Sequence, residues 1–529
     1  MSQTSSSTLA HIRTAGLVLF LIGFAVFIVA LTLAHYEISD ATFTALDERG
    51  TVQDGHRDAL YNELRGLSGE RFDSVLAFLA QVDGALDRTE ATIGYGIGDY
   101  YRGEYKTAIA HAAAQGLLPS NVTLFFWLSL GLMIIGGLAA FLPRLGLESP
   151  GIKNDGTFFS GIQTKGFAGM ALGGVLIGFY VLLYFYPAYI TNWIRLADPV
   201  SELLRNQPAD RWFFYGLLYT IAVLVMGVRM AMQYRHSRYQ LVRTGSVMFF
   251  QLGFAFLIPA IMVLLNKPNL AYDLKNAWPL DYSLFYDYRI EGYTGSGVLG
   301  WLMLVWGVAL AFLVVPLFAF FFGKRWYCSW VCGCGGLAET LGDPFRHLSD
   351  KRVKAWHAER WIVHGVLVFA VVMTGIVLYS FFTGEQGAVL GAEPWKWRQW
   401  YGFGIGSIFA GVVGTGFYPL MGNRVWCRFG CPLAAILGLV QRFKSRFRIT
   451  TNGGQCISCG NCSTYCEMGI DVRWYAQRGQ DVVRASCVGC GICSQVCPRG
   501  VLRLEQGDAT RRMDEVSFVD LAKGKVEIG

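Results

Sequence analysis

The stretch WLMLVWGVALAFLVVPLFAFFFGKRWYCSWVCGCGG at residues 301–336 decides the fold. Its first part is an apolar run ending at Phe322, long enough to cross the ~30 Å hydrocarbon core of a bilayer as a helix. A glycine closes the run, Lys324 and Arg325 follow, and Cys328, Cys332 and Cys334 then fall within seven residues. A membrane helix that delivers three thiols to its charged end has three readings. They are metal ligands, redox-active thiols, or small apolar residues that only pack.

Working outward, the same kind of run recurs. The chain has 529 residues, 53% hydrophobic and only 16% charged, against about 25% charged in ordinary globular proteins. Eight spans are expected, at about 15–34, 122–142, 166–189, 211–232, 245–265, 298–322, 361–382 and 402–421. The first is too long in its apolar core, and too poor in a following cleavage site, for a signal peptide. GFGIGSIFAGVVGTG at 402–416 has no preceding strand and no acid at the expected offset, so its glycines serve close helix packing rather than a nucleotide.

Lysine and arginine set the orientation. Arg235, Arg238 and Arg243 follow the fourth span, Lys324, Arg325, Arg346, Lys351, Arg352 and Lys354 the sixth, and Arg424, Arg428, Arg442, Lys444, Arg446 and Arg448 the eighth. The opposite loops are more acidic and aromatic. Both termini and all thirteen cysteines are therefore expected on the cytoplasmic side of a bacterial inner membrane, where a disulfide framework does not form. The net charge of +7 is accounted for by this bias and calls for no nucleic acid.

The expected organisation is a cytoplasmic tail and first span (1–35), a periplasmic helical domain (36–120), spans two to five (121–297), a core carrying the thiols (298–449), a small cysteine-rich domain (450–505) and a tail (506–529). In the periplasmic domain, RFDSVLAFLAQVDGALDRTEATI has helical spacing of its apolar positions, with no cysteine and no visible ligand cluster. Asp198, Glu202, Asp281 and Glu291 fall in outside loops and read as solvated acids.

The strongest chemical signal lies in CISCGNCSTYC at 456–466 and CVGCGICSQVCPRG at 487–500, each a C-x2-C-x2-C-x3-C run. Such a run carries three thiolates to one cubane, and in two-cluster ferredoxins its fourth cysteine serves the other cluster. On that pattern Cys456, Cys459, Cys462 and Cys497 hold one [4Fe–4S] cluster, and Cys487, Cys490, Cys493 and Cys466 hold the second. Gly460, Gly489 and Gly491 keep the loops open for backbone N–H groups. Paired C-x2-C also suits zinc, but two identical runs with Pro498 after the last favour iron–sulfur. This segment resembles the bacterial-type 2[4Fe–4S] ferredoxin fold over about 50 residues, with Glu467 where proline usually follows Cys466. The expected fold class is thus an α-helical integral membrane protein of about eight spans with a small α+β ferredoxin-like C-terminal domain.

The opening stretch has a counterpart. RWYCSWVCGCGGLAETLGDPFR follows the sixth span and RVWCRFGCPLAAILGLVQRF the eighth, each with C-x3-C after an arginine and an aromatic residue. Cys328 and Cys332, like Cys427 and Cys431, are four apart and would share a face in a helix. A duplicated two-helix unit would bring these four thiols together about a pseudo-twofold axis. They then bind a further metal centre, act as a dithiol relay, or take soft Cu(I). Cys334 is a substitute ligand or a spectator.

Duplicated C-x3-C(P) motifs at cytoplasmic helix ends, followed by a double ferredoxin domain, resemble the NapH/NosR/CcoG group of membrane-bound polyferredoxins over roughly residues 298–505. Cys427, Cys431 and Pro432 match the motif, whereas Gly333 stands in for the proline at the first site. The resemblance implies membrane-bound electron transfer as part of a quinone-linked oxidoreductase. Single electrons would pass between a cytoplasmic redox protein or flavoprotein and a quinone pool or a membrane respiratory subunit. The alternative is a redox-sensing or copper-reducing factor for assembly or regulation of a respiratory metalloenzyme. No flavin-attachment domain is visible in 36–120 and no large domain after the ferredoxin module, so a separate branch is expected, with five N-terminal spans as its own addition. His35 and His364 are poor haem ligands, which leaves a quinone as the economical membrane partner.

Overall fold

The computed structural model describes residues 3–152, 166–384 and 387–506, so the expected tail beyond Gln506 lies outside the described residues. Among these, seven helices are long and apolar enough to cross a membrane: Thr8–Thr32, Val122–Leu147, Phe167–Phe185, Arg211–Gln233, Arg238–Leu264, Gly297–Phe322 and Val353–Thr383. Helices satisfy every backbone polar group internally, which is what a hydrocarbon solvent demands. Large apolar side chains such as Leu302, Val305, Phe312 and Leu313 are exposed, as lipid-facing residues are.

The eighth expected span, 402–421, is helical but irregular. A π-helical stretch at Gly402–Val413 leads into short turns at Gly414–Gly416 and Tyr418–Met421. Its glycines do permit close packing: a Cβ at Gly406 would lie 2.8 Å from the Tyr282 hydroxyl, and one at Gly416 2.7 Å from Ile177. The seventh span begins earlier than expected, at Val353, because Lys354, His357, Glu359 and Arg360 occupy its first turns. At 31 residues it is ~46 Å long, so those polar turns extend beyond the hydrocarbon.

The chain forms two compact units, residues 1–148 with 178–221, and residues 149–177 with 222–529, so the segment 121–297 contributes to both. In the first unit, the extramembrane segment packs helices Asp40–Arg49, Asp54–Arg65, Val75–Ile93 and Asp99–Ala113 around Leu46, Leu60, Leu64, Phe78 and Leu86. The buried positions Phe78, Leu79, Val82, Ala85, Leu86 and Thr89 are the helical stripe read from the sequence. A small antiparallel sheet, with His35–Glu37 between Arg71–Phe72 and Ala114–Gln115, closes one edge.

In the second unit the three arginine-rich loops meet at one end, on the ferredoxin domain. The Tyr239 hydroxyl donates to the Gly489 carbonyl (2.7 Å) and the Gln240 amide to that of Cys490 (2.8 Å). Ser329 donates to Val488 O (2.8 Å) and Gln441 to Cys487 O (2.7 Å). The domain is therefore docked on the membrane core rather than tethered below it. Its strands Phe447–Thr451 and Leu502–Gln506 pair antiparallel, joining the two ends of the cysteine-rich segment.

Candidate iron–sulfur centres

Both ferredoxin-type loops turn through matched left-handed residues, Ser458 (φ 59°) and Gly460 (φ 80°) in the first, Gly489 (φ 62°) and Gly491 (φ 77°) in the second. A short helix follows each, Asn461–Thr464 and Ile492–Gln495. The fourth cysteines also match: Ile470 N–H donates to Cys466 Sγ (3.4 Å) and Val501 N–H to Cys497 Sγ (3.3 Å). Donors of this kind support thiolate sulfur. Cys456, Cys459, Cys462 and Cys497 line one small cavity. Cys493 sits among Cys490, Cys487 and Cys466, with Cys462 also near. All thirteen cysteines are free thiols. Among the described residues no three Cys, His, Asp or Glu close on a single-ion site. Open loops, inward N–H groups and thiols gathered in fours fit a cubane.

The two C-x3-C segments share a backbone. Gly323 (φ 69°, ψ −173°) and Gly422 (φ 92°, ψ 171°) each break the preceding helix in a conformation open only to glycine. Cys332 N–H donates to Tyr327 O (2.8 Å) and Cys431 N–H to Trp426 O (2.9 Å), the same five-residue turn. Cys332 and Cys431 then cap the helices Gly333–Thr340 and Pro432–Phe443. Each pair thus straddles a helix break and does not share one helical face, because the second cysteine is extended. The four thiols nonetheless converge. Cys431 lies near Cys427, Cys328 and Cys332, all are about 5–6% exposed, and Cys334 contacts Cys332.

Between these thiols and the ferredoxin domain runs a buried chain of charges. Arg424, 0% exposed, pairs with Glu339 and with Glu467 (3.1 Å), and its Nη1 lies 3.6 Å from Cys427 Sγ. Arg243 also pairs with Glu339 (2.6 Å), and Arg346 reaches both Glu467 (3.6 Å) and Asp343 (2.7 Å). Burial alone would keep Glu467 protonated, but Arg424, Arg346 and Arg243 outweigh it and hold the carboxyl down to about 2. Asp343 is likewise held low by Arg346 and Arg229 against the effect of burial. Glu339 moves the other way, raised by burial and by the Glu467 charge despite its two arginines. Glu467, which stands where proline usually follows the fourth cysteine, is one link from the ferredoxin domain to the core.

A second link lines a cavity of about 340 Å³ that reaches Cys427. Glu359 accepts from Arg428 Nε (2.7 Å) and from the Ser486 hydroxyl. Trp356, Val363, Leu439 and Phe443 give the cavity an apolar wall, and His364 lies beside them. The His364 Nδ1–H donates to the Arg360 carbonyl (2.6 Å), which leaves Nε2 as an acceptor.

Charge pairing at this end is not legible in the sequence, where Arg243, Arg346 and Arg424 read as loop cations. The signal was present in Glu339, an acid inside the otherwise small and apolar GGLAETLG. Two acids expected to be solvated are not: Asp281 pairs with Arg289 (2.6 Å), and Asp198 is 5% exposed against His111.

Known families match in the same places. Residues 455–502 match a 4Fe-4S dicluster domain, and residues 301–352 and 402–450 each match one 4Fe-4S binding domain. The chain is 27% identical to YccM of Escherichia coli (strain K12) over 174 residues, 31% of this chain and 46% of the relative. It is 25% identical to the regulatory protein NosR of Stutzerimonas stutzeri over 198 residues (35% and 25%). It is 28% identical to the methylamine utilization ferredoxin-type protein MauN of Paracoccus denitrificans (strain Pd 1222) over 163 residues (29% and 52%). The chain spans about half, or less, of the length of these relatives, and no solved structure matches it. Fold and site together define the class, a multi-pass membrane protein with 4Fe-4S ferredoxin-type domains. Within that class the matched segments are similar to those of the membrane-associated polyferredoxin-type electron-transfer proteins YccM, NosR and MauN.

Proposed function

We propose that this chain carries single electrons between a cytoplasmic redox protein or flavoprotein and a quinone at the membrane edge. The observation that carries the reading is the single buried core shared by the ferredoxin cysteines and the duplicated thiols, with a cavity opening at Cys427. On this reading Cys456, Cys459, Cys462 and Cys497 hold one cluster, Cys487, Cys490, Cys493 and Cys466 a second, and Cys328, Cys332, Cys427 and Cys431 a third centre. The 4Fe-4S family match at both repeats supports iron there. When bound, such clusters supply one-electron carriers.

The chain's own residues do the rest. Glu467, Arg424 and Glu339 fix the ferredoxin domain against the duplicated thiols. Cys459 is exposed, and Arg473 and Arg499 line the same cavity, a face suited to an acidic redox protein. Trp356, Val363 and Phe443 take a quinone ring, and His364 Nε2 exchanges its hydroxyl proton with the cytoplasm. The exposed cations Arg238, Arg352, Lys354, Lys444 and Arg446 support a cytoplasmic placement of this end of an inner-membrane protein.

Iron and labile sulfide per chain, measured with low-temperature EPR after anaerobic purification, test the assignment. About twelve irons are expected in the wild type and about eight in a Cys328→Ala/Cys427→Ala double variant. About eight in both removes the third centre, and colourless protein removes the reading altogether. A short-chain quinol should change the EPR signals, and less so in Phe443→Ala. No quinol response in iron-replete protein would favour an assembly or regulatory role.

A further inference from the structure

The extramembrane segment of the first unit holds a site that the electron-transfer reading does not use. Arg49 ends the helix Asp40–Arg49, His111 lies in Asp99–Ala113, Arg195 ends Thr191–Arg195 and Asp198 begins Asp198–Arg205. These residues meet on the floor of a cavity of about 500 Å³. The loops that supply them lie after the first and third spans, hence on one side of the membrane.

The hydrogen bonds fix the protonation pattern. Asp198 accepts from the Ala209 N–H (2.8 Å) and from His111 Nε2 (3.1 Å). Arg49 Nη2 donates to His111 Nδ1 (2.6 Å) and Arg195 Nη2 approaches the same atom (3.2 Å), while also donating to the His111 carbonyl. A ring nitrogen that accepts from guanidinium carries no proton, so His111 is neutral and its N–H faces Asp198. Burial and the Arg195 charge lower its pKa to about 4, which agrees with that pattern.

The floor therefore has a surplus of donors. Two guanidinium groups bring five N–H each, and a single imidazole lone pair and one carbonyl receive them. Arg195 Nε is buried without a partner. Among the described residues neither Arg49 nor Arg195 forms an ion pair with a carboxylate, since Asp198 is occupied by His111 and Ala209. At the floor itself two arginines stand against one aspartate, while further out Arg211 pairs with Glu104 (2.7 Å) and Asp210 with Arg205 (2.7 Å). The rim carries Glu48, Glu202 and Asp210, all exposed, which repel anions of higher charge.

We propose that this cavity binds a small monocarboxylate, held by Arg49 and Arg195. A carboxylate offers two oxygens with about four lone-pair sites in the geometry a guanidinium fork prefers. The cavity is much larger than a bare halide needs, and the acidic rim disfavours phosphate.

Titration calorimetry on the full-length protein in detergent, with acetate as the probe, tests this. Saturable acetate binding is expected, absent with isosteric acetamide and at least tenfold weaker with chloride or inorganic phosphate. Arg49→Gln should abolish it while the protein still unfolds in one cooperative thermal transition. Arg49→Lys, which keeps the charge and loses the fork, should weaken it about tenfold, the loss of one charge-assisted hydrogen bond. Absence of acetate binding in the wild type, equal binding of chloride or phosphate, or binding unchanged in both variants would overturn the proposal.

Discussion

The two C-x3-C repeats have one backbone and two chemistries. Gly323 and Gly422, Arg325 and Arg424, Cys328 and Cys427, and Cys332 and Cys431 occupy equivalent positions, and the turn before the second cysteine is the same within 0.1 Å, at 2.8 and 2.9 Å. The equivalent arginines nevertheless differ. Arg325 is half-buried with its guanidinium 4.6 Å from the Phe447 ring, whereas Arg424 is 0% exposed and joins Glu339 to Glu467. Thiol spacing constrains both backbones alike, but the docked ferredoxin domain presents one Glu467, which only one repeat can meet. Symmetry thus belongs to the thiol-bearing scaffold and asymmetry to the docking of its neighbour.

Removing each arginine tests that division with the largest expected effect. Arg424→Gln leaves Glu339 and Glu467 buried beside a neutral group, and breaking a buried ion pair in this way costs about 3–5 kcal/mol. Arg325→Gln loses a cation–π contact worth about 0.5–1 kcal/mol. Denaturant unfolding in detergent, followed by cluster absorbance, should separate the two variants clearly. Equal losses would break the comparison.

The sequence made the repeats legible because cysteine spacing and apolar length are local properties. Seven of the eight expected spans are continuous helices, three of them with a π-helical stretch at Trp127–Gly131, Gln251–Leu257 or Leu310–Val314, since a run of apolar residues has little alternative in a bilayer. The eighth differs in breaking into short turns after Val413, and its glycines pack against Tyr282, Ile177 and Trp426. Charge is different: an arginine reads the same whether it faces headgroups or a buried carboxylate. Arg243, Arg346 and Arg424 therefore read as loop cations, whereas the structure buries them against Glu339, Asp343 and Glu467. Arg49, His111, Arg195 and Asp198 come from four helices in two separate loops, and no local pattern announces that these loops pack together.

The glycines test the shared backbone itself. A Cβ at Gly422 would lie 2.3 Å from Ser349 Oγ and 2.8 Å from Ser349 N, and one at Gly323 2.7 Å from Gln441 Oε1 and 2.8 Å from Phe447 Cβ. Both sites also require a backbone conformation that costs a non-glycine residue about 1–3 kcal/mol. Gly323→Ala and Gly422→Ala should each lower stability by at least that much in the same unfolding assay. A silent variant at either position would show that the repeats do not share this turn.

The smallest effect expected is at the position where the repeats differ in motif. Pro432 is the first residue of the helix Pro432–Phe443, and Gly333 is the first of Gly333–Thr340. A proline there loses no intrahelical hydrogen bond and has its φ already set. It requires an extended residue before it, and Cys332 (φ −65°, ψ 127°) meets that requirement as Cys431 (φ −83°, ψ 111°) does. Gly333→Pro should therefore be accepted with iron content unchanged and should stabilise by about 0.4–1 kcal/mol through the unfolded chain, with Pro432→Gly showing the reverse. If Gly333→Pro instead loses iron, the first repeat needs the glycine for Cys334, the next residue, whose thiol lies against Cys332. The two halves would then differ at the metal itself and not only in their docking.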